Sequence, residues 1–468
     1  MAQDKSSDVI SDWWVPEDGP EATTPGTYSV LESGNALVRL HRPIGGESDF
    51  FSNTPARHPV IHGNVFGKSV TLVNARVNKW RLGGGNQADI EMHPQLALEG
   101  LLLSQDELRL TEAKVRIQGQ DDWIAEPRLT QEFHPDGSLS RINMPSFTER
   151  VAWAQNGCIT IKDFSLWRYS NTEASIKGKT GFHFLFEEPI SLKDFFDNQL
   201  RGLQMLMTMV TGNRCGIESL RFTDSTWEID GETPPEPHWV TARLRAPERN
   251  TTGHRQEILF PFEEFDWEAQ AHRIFDLSTA WTYTTEQWAL LLDSRFVWPV
   301  ARFATAASAV EALDRILHPD GPYVPDPELI SRVKEELSKT ELKSRDRAKL
   351  ISGLRPRETS LAQRIARLAS FTPEAMGELI DQPVWADRVA KLRHVVSHGL
   401  ESSEDFSHDT RSVQCASEIL LHLLECTFLY HLGFTPDQIK QLKTQHPATW
   451  QRRQIISECF DLLPPSTG

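Results

Sequence analysis

Cysteine, long apolar runs and positive charge are all scarce in this chain, and each scarcity excludes a class of protein. The five cysteines (Cys158, Cys215, Cys415, Cys426 and Cys459) are scattered, with no CxxC pair. That excludes a disulfide framework or a cysteine-rich zinc site and fits a reducing compartment. No stretch reaches the ~18 uncharged apolar residues of a membrane span. The segment Met1 to Ser11 is polar and lacks the apolar run of a signal peptide. A cytoplasmic location, away from any membrane, is the expectation. Net charge is −16, of which residues 1–269 carry −13 and residues 270–468 carry −3. Phosphate contacts dominate nucleic-acid affinity, so the acidic part is a poor general docking surface for RNA or anionic lipid. It is better suited to a solvated or protein-binding role. No repeat of fixed period and no low-complexity tract is present.

What is there falls into two regions, within the two to four domains that 468 residues suggest. Residues 1–26 hold Trp13-Trp14 and a Pro/Gly/Glu-rich stretch, which reads as an ordered hook or a flexible arm. From Gly26 to about Phe262 the pattern is that of strands. Ser69-Val70-Thr71-Leu72-Val73, Ala113 to Ile117, Gly157 to Ile161 and Phe182 to Phe186 alternate or run β-branched, with turn clusters such as Gly83-Gly84-Gly85 between them. One helix interrupts, over 192–211. Residues 1–265 are therefore expected to form a β-rich, sandwich- or barrel-like region, in one or two sub-domains. Residues 266–468 are expected to be all-α, with helices near 267–293, 295–317, 326–339, 344–353, 359–370, 374–398 and 408–432. Gly399 and Gly433 stand as helix C-cap glycines. The fold class is α+β multidomain, β-rich first and all-α second.

An Arg-x4-His spacing occurs at Arg57/His62, Arg249/His254 and Arg393/His398. The bare spacing says little, so context decides. Pro59 disfavours a helix for the first. Two threonines and Gly253 make the second a loop. Only the third sits in a helical pattern. On a wheel at ~100° per residue, Arg393, His394, Ser397 and His398 gather on one polar arc. Val389, Leu392, Val395 and Val396 fall opposite. The ordinary alternative is the solvated side of an amphipathic helix, but Glu and Lys are the usual surface fillers, not Arg with two His. An Arg that clamps phosphate and a His that moves protons are the two groups a metal-free ribonuclease needs.

Several segments around this motif together resemble the ApeA-like branch of the antiphage HEPN proteins. Phe303-Ala304-Thr305-Ala306-Ala307-Ser308-Ala309-Val310-Glu311-Ala312-Leu313 looks like that branch's "ALE" helix. Thr359-Ser360-Leu361-Ala362-Gln363-Arg364-Ile365-Ala366-Arg367-Leu368 is similar to its next helical segment, and Leu432-Gly433-Phe434 to the end of its final core helix. Gly67-Lys68-Ser69-Val70-Thr71-Leu72 and Asp122-Trp123 resemble parts of the ApeA N-terminal domain. One departure is His394, where Asn is commonest in the family.

The resemblance implies an endoribonuclease without metal or cofactor, leaving a 2′,3′-cyclic phosphate. His398 would transfer protons, Arg393 would hold the phosphate, and His394 would orient His398 or touch phosphate. Ser397 and Glu311 are supporting candidates, Glu311 through an ion pair to Arg393. Arg355, Arg357, Arg364 and Arg367 are candidates for guiding RNA, with a solvated helix face as the alternative. The family implies a homodimer or higher even oligomer, an RNA substrate such as tRNA, and a phage protein trigger, capsid-related, sensed by the N-terminal region. Two rivals stand beside this reading: a non-catalytic HEPN adaptor that only dimerises or binds RNA, and a glycan-binding β module. For the last, Trp80, Trp123, Trp153, Trp167, Trp227 and Trp239 are read as core rather than sugar platforms. His58, His62, Glu91 and His93 do not have the spacing of a metal set.

Overall fold

Phe66 and Gly67 both have positive φ, 53° and 80°. Two such residues in succession make a turn whose twist matches that of the strands it joins. They fold β4 (Arg57–Val65) back onto β5 (Lys68–Leu82), with Val65 opposite Lys68. In this computed structural model the described residues are 8–31, 34–44, 57–82, 88–102, 108–124, 130–136, 139–143, 147–154, 156–164, 166–169, 174–177, 179–224, 237–244, 258–292, 298–319, 327–352, 359–381, 384–398 and 410–465. They form two compact units, Met1–Thr279 and Ala280–Gly468.

In the first unit β5 belongs to two structures at once. With β1 (Val9–Trp14), β2 (Thr24–Val30), β3 (Ala36–Leu40), β4 and β6 (Ala88–His93) it closes a six-stranded antiparallel barrel in the order β5-β4-β1-β2-β3-β6. Closure leaves no free edge within the ring. Trp13, Tyr28, Val38, Leu40, Ile61, Leu72, Ile90 and Met92 fill it. A Cβ on Gly63 would lie 2.3 Å from the Trp13 ring, so only glycine lets that indole in. The tryptophan pair read as a hook or arm is thus a barrel strand. The other end of β5 pairs with β7 (Leu96–Glu99) and continues into an open sheet. Its order is β7, β17 (Trp239–Leu244), β16 (Ile217–Asp224), β8 (Arg109–Ile117), β15 (Thr180–Ser191), β12 (Gly157–Asp163) and β11 (Arg150–Ala154). Two hairpins stand apart from that sheet, β9 (Thr130–Phe133) with β10 (Leu139–Asn143), and β13 (Leu166–Tyr169) with β14 (Ala174–Lys177).

Beside the open sheet lie α1 (Gln120–Trp123), α2 (Leu192–Asp194) and α3 (Arg201–Thr211), the last two joined by a π-helical stretch over Phe195–Leu200. The inserted helix is therefore continuous but wound two ways. The buried Arg116 ties this region together. It donates to Asp121, to Glu218 at 2.9 Å and to the Thr180 carbonyl. The first helix after the strands, α4 (Trp267–Ala280), packs within this unit. Trp267 stacks on Phe182 with centroids 5.5 Å apart and donates its indole N–H to the Ile159 carbonyl at 3.3 Å.

The second unit is helical: α5 (Thr282–Leu292), α6 (Pro299–Leu317), α7 (Pro327–Ser338), α8 (Ser344–Ser352), α9 (Leu361–Ala369), α10 (Pro373–Leu379), α11 (Trp385–His398), α12 (Thr410–Leu432), α13 (Pro436–Gln445) and α14 (Pro447–Cys459). The single helix read over 374–398 is two, α10 and α11, because Pro383 lies between them and cannot supply an N–H to the ladder. α12 is buried on all sides over most of its length, as a central helix is. α6 packs on α5, α9, α11 and α12, and its Phe303, Ala306, Ala307, Val310 and Leu313 are buried. Gly433 has φ 107° and ends α12 as a C-cap glycine, with Phe434 N–H bonded to Leu429 O. Gly399 lies outside the described residues.

Polar residues on α12 find partners rather than water. Glu425 accepts from Arg452 at 2.6 and 2.8 Å and from the fully buried Lys443. Burial alone would push its carboxyl up, yet Arg452 and Lys443 hold it well below the usual range. Burial pushes the thiols of Cys415 and Cys426 up to about 12, so both stay protonated.

Candidate functional site

α11 is held by its apolar side. Val389 and Leu392 are buried, and the helix packs on α6 and α9. Val395 and Val396, one turn later, are only half-buried, so the core contact ends before the helix does. His394 and Ser397 are exposed and Arg393 is half-buried. The polar arc predicted for Arg393, His394 and Ser397 therefore faces away from the bundle core. Ser397 is turned inward along its own helix, its hydroxyl donating to the Arg393 carbonyl at 2.7 Å. His398 is the last residue of α11, and its side chain lies outside the described residues.

Arg393 is the informative member. Its Nε is shut from water with no hydrogen-bond acceptor, and among the described residues no carboxylate pairs with the guanidinium. A half-buried guanidinium without a counter-charge costs free energy unless an anion meets it. The ion pair expected from Glu311 is absent. Glu311 instead faces Arg315, one turn along α6, at 3.9 Å. That spacing follows from helix geometry and is weak where exposed.

The arginines read as RNA guides separate into two groups. Arg355 and Arg357 lie outside the described residues. Arg364 and Arg367 both bind Asp314, which is fully buried on α6, at 2.9 and 2.5 Å. Arg364 is shut in, at 9 % side-chain exposure, so it is a core ion pair and neither an RNA guide nor a solvated face. Arg367 remains partly open. His318 completes the group, its Nδ1 3.1 Å from the other Asp314 oxygen. Nothing in the sequence pattern pointed to Asp314. It falls three residues after Glu311, within the segment that attracted attention for its glutamate.

Of the two decoy motifs, Arg57/His62 is in strand β4, in keeping with a Pro59 that disfavours a helix, and Arg249/His254 lies outside the described residues. The His62 ring meets Trp14 edge-on, and burial lowers its pKa. Among the described residues no group of three His, Cys, Asp or Glu side chains is placed to hold a metal ion. Glu91 pairs with Lys79 and His93 instead. The tryptophans divide. Trp123 is core, and Trp239 lies under the Lys114 ammonium at 3.9 Å. Trp80 and Trp153, read as core, are 51 and 68 % exposed, on β5 and on the edge strand β11. Trp167 has no described side chain and Trp227 lies outside the described residues. Among the described residues no helix is long and apolar enough to cross a membrane.

Fold and site together define a two-unit protein, a barrel-bearing β region followed by a helical bundle in which the end of one helix carries an arginine with no counter-charge among the described residues, close in sequence to two histidines. Residues 8–270 match ApeA N-terminal domain 1, and residues 305–438 match the Apea-like HEPN domain, a span that includes both Asp314 and the Arg393–His398 motif. The chain thus belongs to the ApeA-like HEPN family. No curated protein and no solved structure matches it.

Proposed function

We propose that this protein is a metal-independent endoribonuclease of antiphage defence, quiescent until its N-terminal region meets a phage protein. The observation that carries the reading is Arg393, a half-buried guanidinium with no counter-charge among the described residues, five positions before His398 on the exposed end of α11. RNA supplies the missing anion. In the reaction the substrate 2′-oxygen forms a bond to the adjacent phosphorus while the bond from phosphorus to the 5′-oxygen breaks. The 2′-hydroxyl proton leaves to a base and the departing 5′-oxygen gains one, which yields a 2′,3′-cyclic phosphate and a 5′-hydroxyl. His398 moves these protons, because an imidazole titrates near working pH. Arg393 neutralises the charge that builds on the non-bridging oxygens. His394, exposed on the adjoining part of the arc, orients His398 or contacts phosphate. Two copies of α11 meeting across a two-fold would supply two Arg–His sets to one cleft, so a homodimer belongs to the reading. The N-terminal region has no metal-holding group among its described residues and carries the larger share of the acidic charge, which suits a protein trigger, such as a capsid component, over a polynucleotide.

The test is expression of the wild type and His398→Ala in a bacterial host, with and without phage, and sequencing of RNA ends that bear 5′-hydroxyls. Infection-dependent ends that vanish in His398→Ala, in tRNA above all, are the expected result. Equal protection by both proteins with no new ends would move the reading to a non-catalytic adaptor.

A further inference from the structure

Asp314 carries one negative charge and faces two guanidiniums. Arg364, the buried one, is its internal counter-ion. Its Nη1 is 2.9 Å from Oδ2 and its Nε donates to the Thr359 carbonyl at 3.0 Å. Among the described residues Arg367, one turn along α9, is then a surplus cation. Its side chain is 32 % exposed, one Nη donates to Asp314, and its Nε is shut from water with no acceptor. His318 adds a donor or acceptor at the same place. Its Nδ1 is engaged by Asp314, so Nε2 is the ring nitrogen left, on a side chain 27 % exposed. The His318 ring is stacked on Phe371, interplanar angle 12° and centroids 6.0 Å apart. Phe371 in turn is stacked on Tyr430, at 23° and 5.1 Å. All three rings are half-buried. A surplus guanidinium beside a ladder of flat, partly open rings is the arrangement by which single-stranded nucleic acid is held, phosphate on the cation and base on the ring face.

We propose that Arg367 and His318, with the Phe371–Tyr430 ring pair behind them, form a subsite for one nucleotide of single-stranded RNA. Asp314 is its positioning residue. It holds Arg367 and His318 side by side and, through Arg364, anchors α9 to α6. α9 also packs on α11, the helix of Arg393, so the subsite belongs to an element that touches the proposed catalytic helix. The choice of RNA as ligand rests on the nuclease reading; the anion-and-ring chemistry does not.

The experiment is equilibrium binding of a short single-stranded 2′-O-methyl RNA to the full-length protein across a salt series. That probe has no free 2′-hydroxyl and cannot be cut by transesterification, so binding is read apart from cleavage. Arg367→Gln leaves Asp314 paired with Arg364 and His318. It should weaken binding about tenfold and make the salt dependence shallower by about 0.7, the share of one phosphate. Phe371→Leu, which touches no charge, should weaken binding about tenfold with the salt slope unchanged. Arg367→Lys should restore the slope. If Arg367→Gln lowers the melting temperature, Phe371→Leu and Arg367→Lys carry the test. Affinity and slope that stay at wild-type values in Arg367→Gln and Phe371→Leu would overturn the subsite. A wild type that binds the probe through these residues yet, recovered from phage-infected cells, cuts no RNA would sink the nuclease reading and leave the subsite standing. Cleavage that depends on His398 with unaltered binding by Arg367→Gln would do the reverse.

Discussion

Replacing Glu425 with alanine should unfold the helical unit at a much lower temperature. The side chain sits on the central helix α12 with Arg452 at 2.6 and 2.8 Å and Lys443 beside it, all three buried. Removing the carboxylate leaves an ammonium with no exposure and a guanidinium that keeps only Glu418, at 3.0 Å. Breaking a buried pair from one side costs about 3–5 kcal/mol, because the remaining charge stays desolvated. For a unit of this size each kcal/mol moves the midpoint by about 2–4 °C, so a fall of roughly 6–20 °C is expected. Thermal scans by far-ultraviolet circular dichroism would follow it, since the second unit is almost wholly helical. The double variant Glu425→Met with Lys443→Met removes both charges and leaves Arg452 with Glu418, so it should regain most of the loss. The sign with pH follows from the depressed carboxyl. Its stabilisation is complete above the unfolded value of about 4.3 and is lost as pH falls towards the folded one. Glu425→Ala should therefore lack that acid limb. A midpoint within about 2 °C of wild type would refute the reasoning, as would a double variant no better than the single.

Three further outcomes follow from the same structure. His422 is fully buried, with Nδ1 lacking a partner, and burial together with Lys443 and Arg452 lowers its pKa well below the usual value. The unfolded chain therefore binds a proton that the folded one refuses, and stability should fall by up to ~1.4 kcal/mol per unit below about pH 6.5; His422→Leu should flatten that dependence in urea titrations of the helical unit, and a slope equal to wild type would contradict it. Gly63→Ala places a methyl carbon 2.3 Å from the Trp13 ring and should cost about 1–3 kcal/mol by overpacking, read as a lower urea midpoint with quenched or shifted tryptophan emission. Arg388, on α11, donates to the carbonyls of Pro464 at 3.2 Å, Asp461 at 3.2 Å and Leu463 at 2.5 Å and lies over the Phe460 ring. Arg388→Ala should release the segment 460–465 and cost on the order of 2 kcal/mol, seen as faster amide exchange there and in α11; unchanged exchange in both would show the contact to be idle.

Much of this architecture was legible in the chain. Alternation and β-branching located strands β5, β8, β12 and β15, and the helix over 192–211 was readable from its apolar spacing. A barrel-like region was expected and is present, but which strands close it was not legible. The β5–β6 pairing that turns a sheet into a barrel depends on a long strand serving two neighbours, which no local pattern reveals. The helices α13 and α14 also escaped, although Thr435-Pro436 with Gln438 forms a capping box, the same device as Ser360 with Gln363 on α9. The polar arc of α11 was visible on a helical wheel, because it depends only on residues within one helix. Asp314 was not, and Arg364 and Arg367 were read as RNA guides because their shared carboxylate lies on another helix. The Arg364 guanidinium is buried only because a carboxylate from a helix 50 residues earlier meets it.

The most direct test of the nuclease reading uses protein recovered from phage-infected cells, incubated with RNA in a chelator, comparing wild type with Arg393→Ala and His398→Ala. The account predicts cuts by the wild type that end in 2′,3′-cyclic phosphate and 5′-hydroxyl, and a loss of at least ~100-fold in rate in each variant. Wild-type cutting by His398→Ala, or ends that carry 3′-hydroxyl and 5′-phosphate, would contradict it.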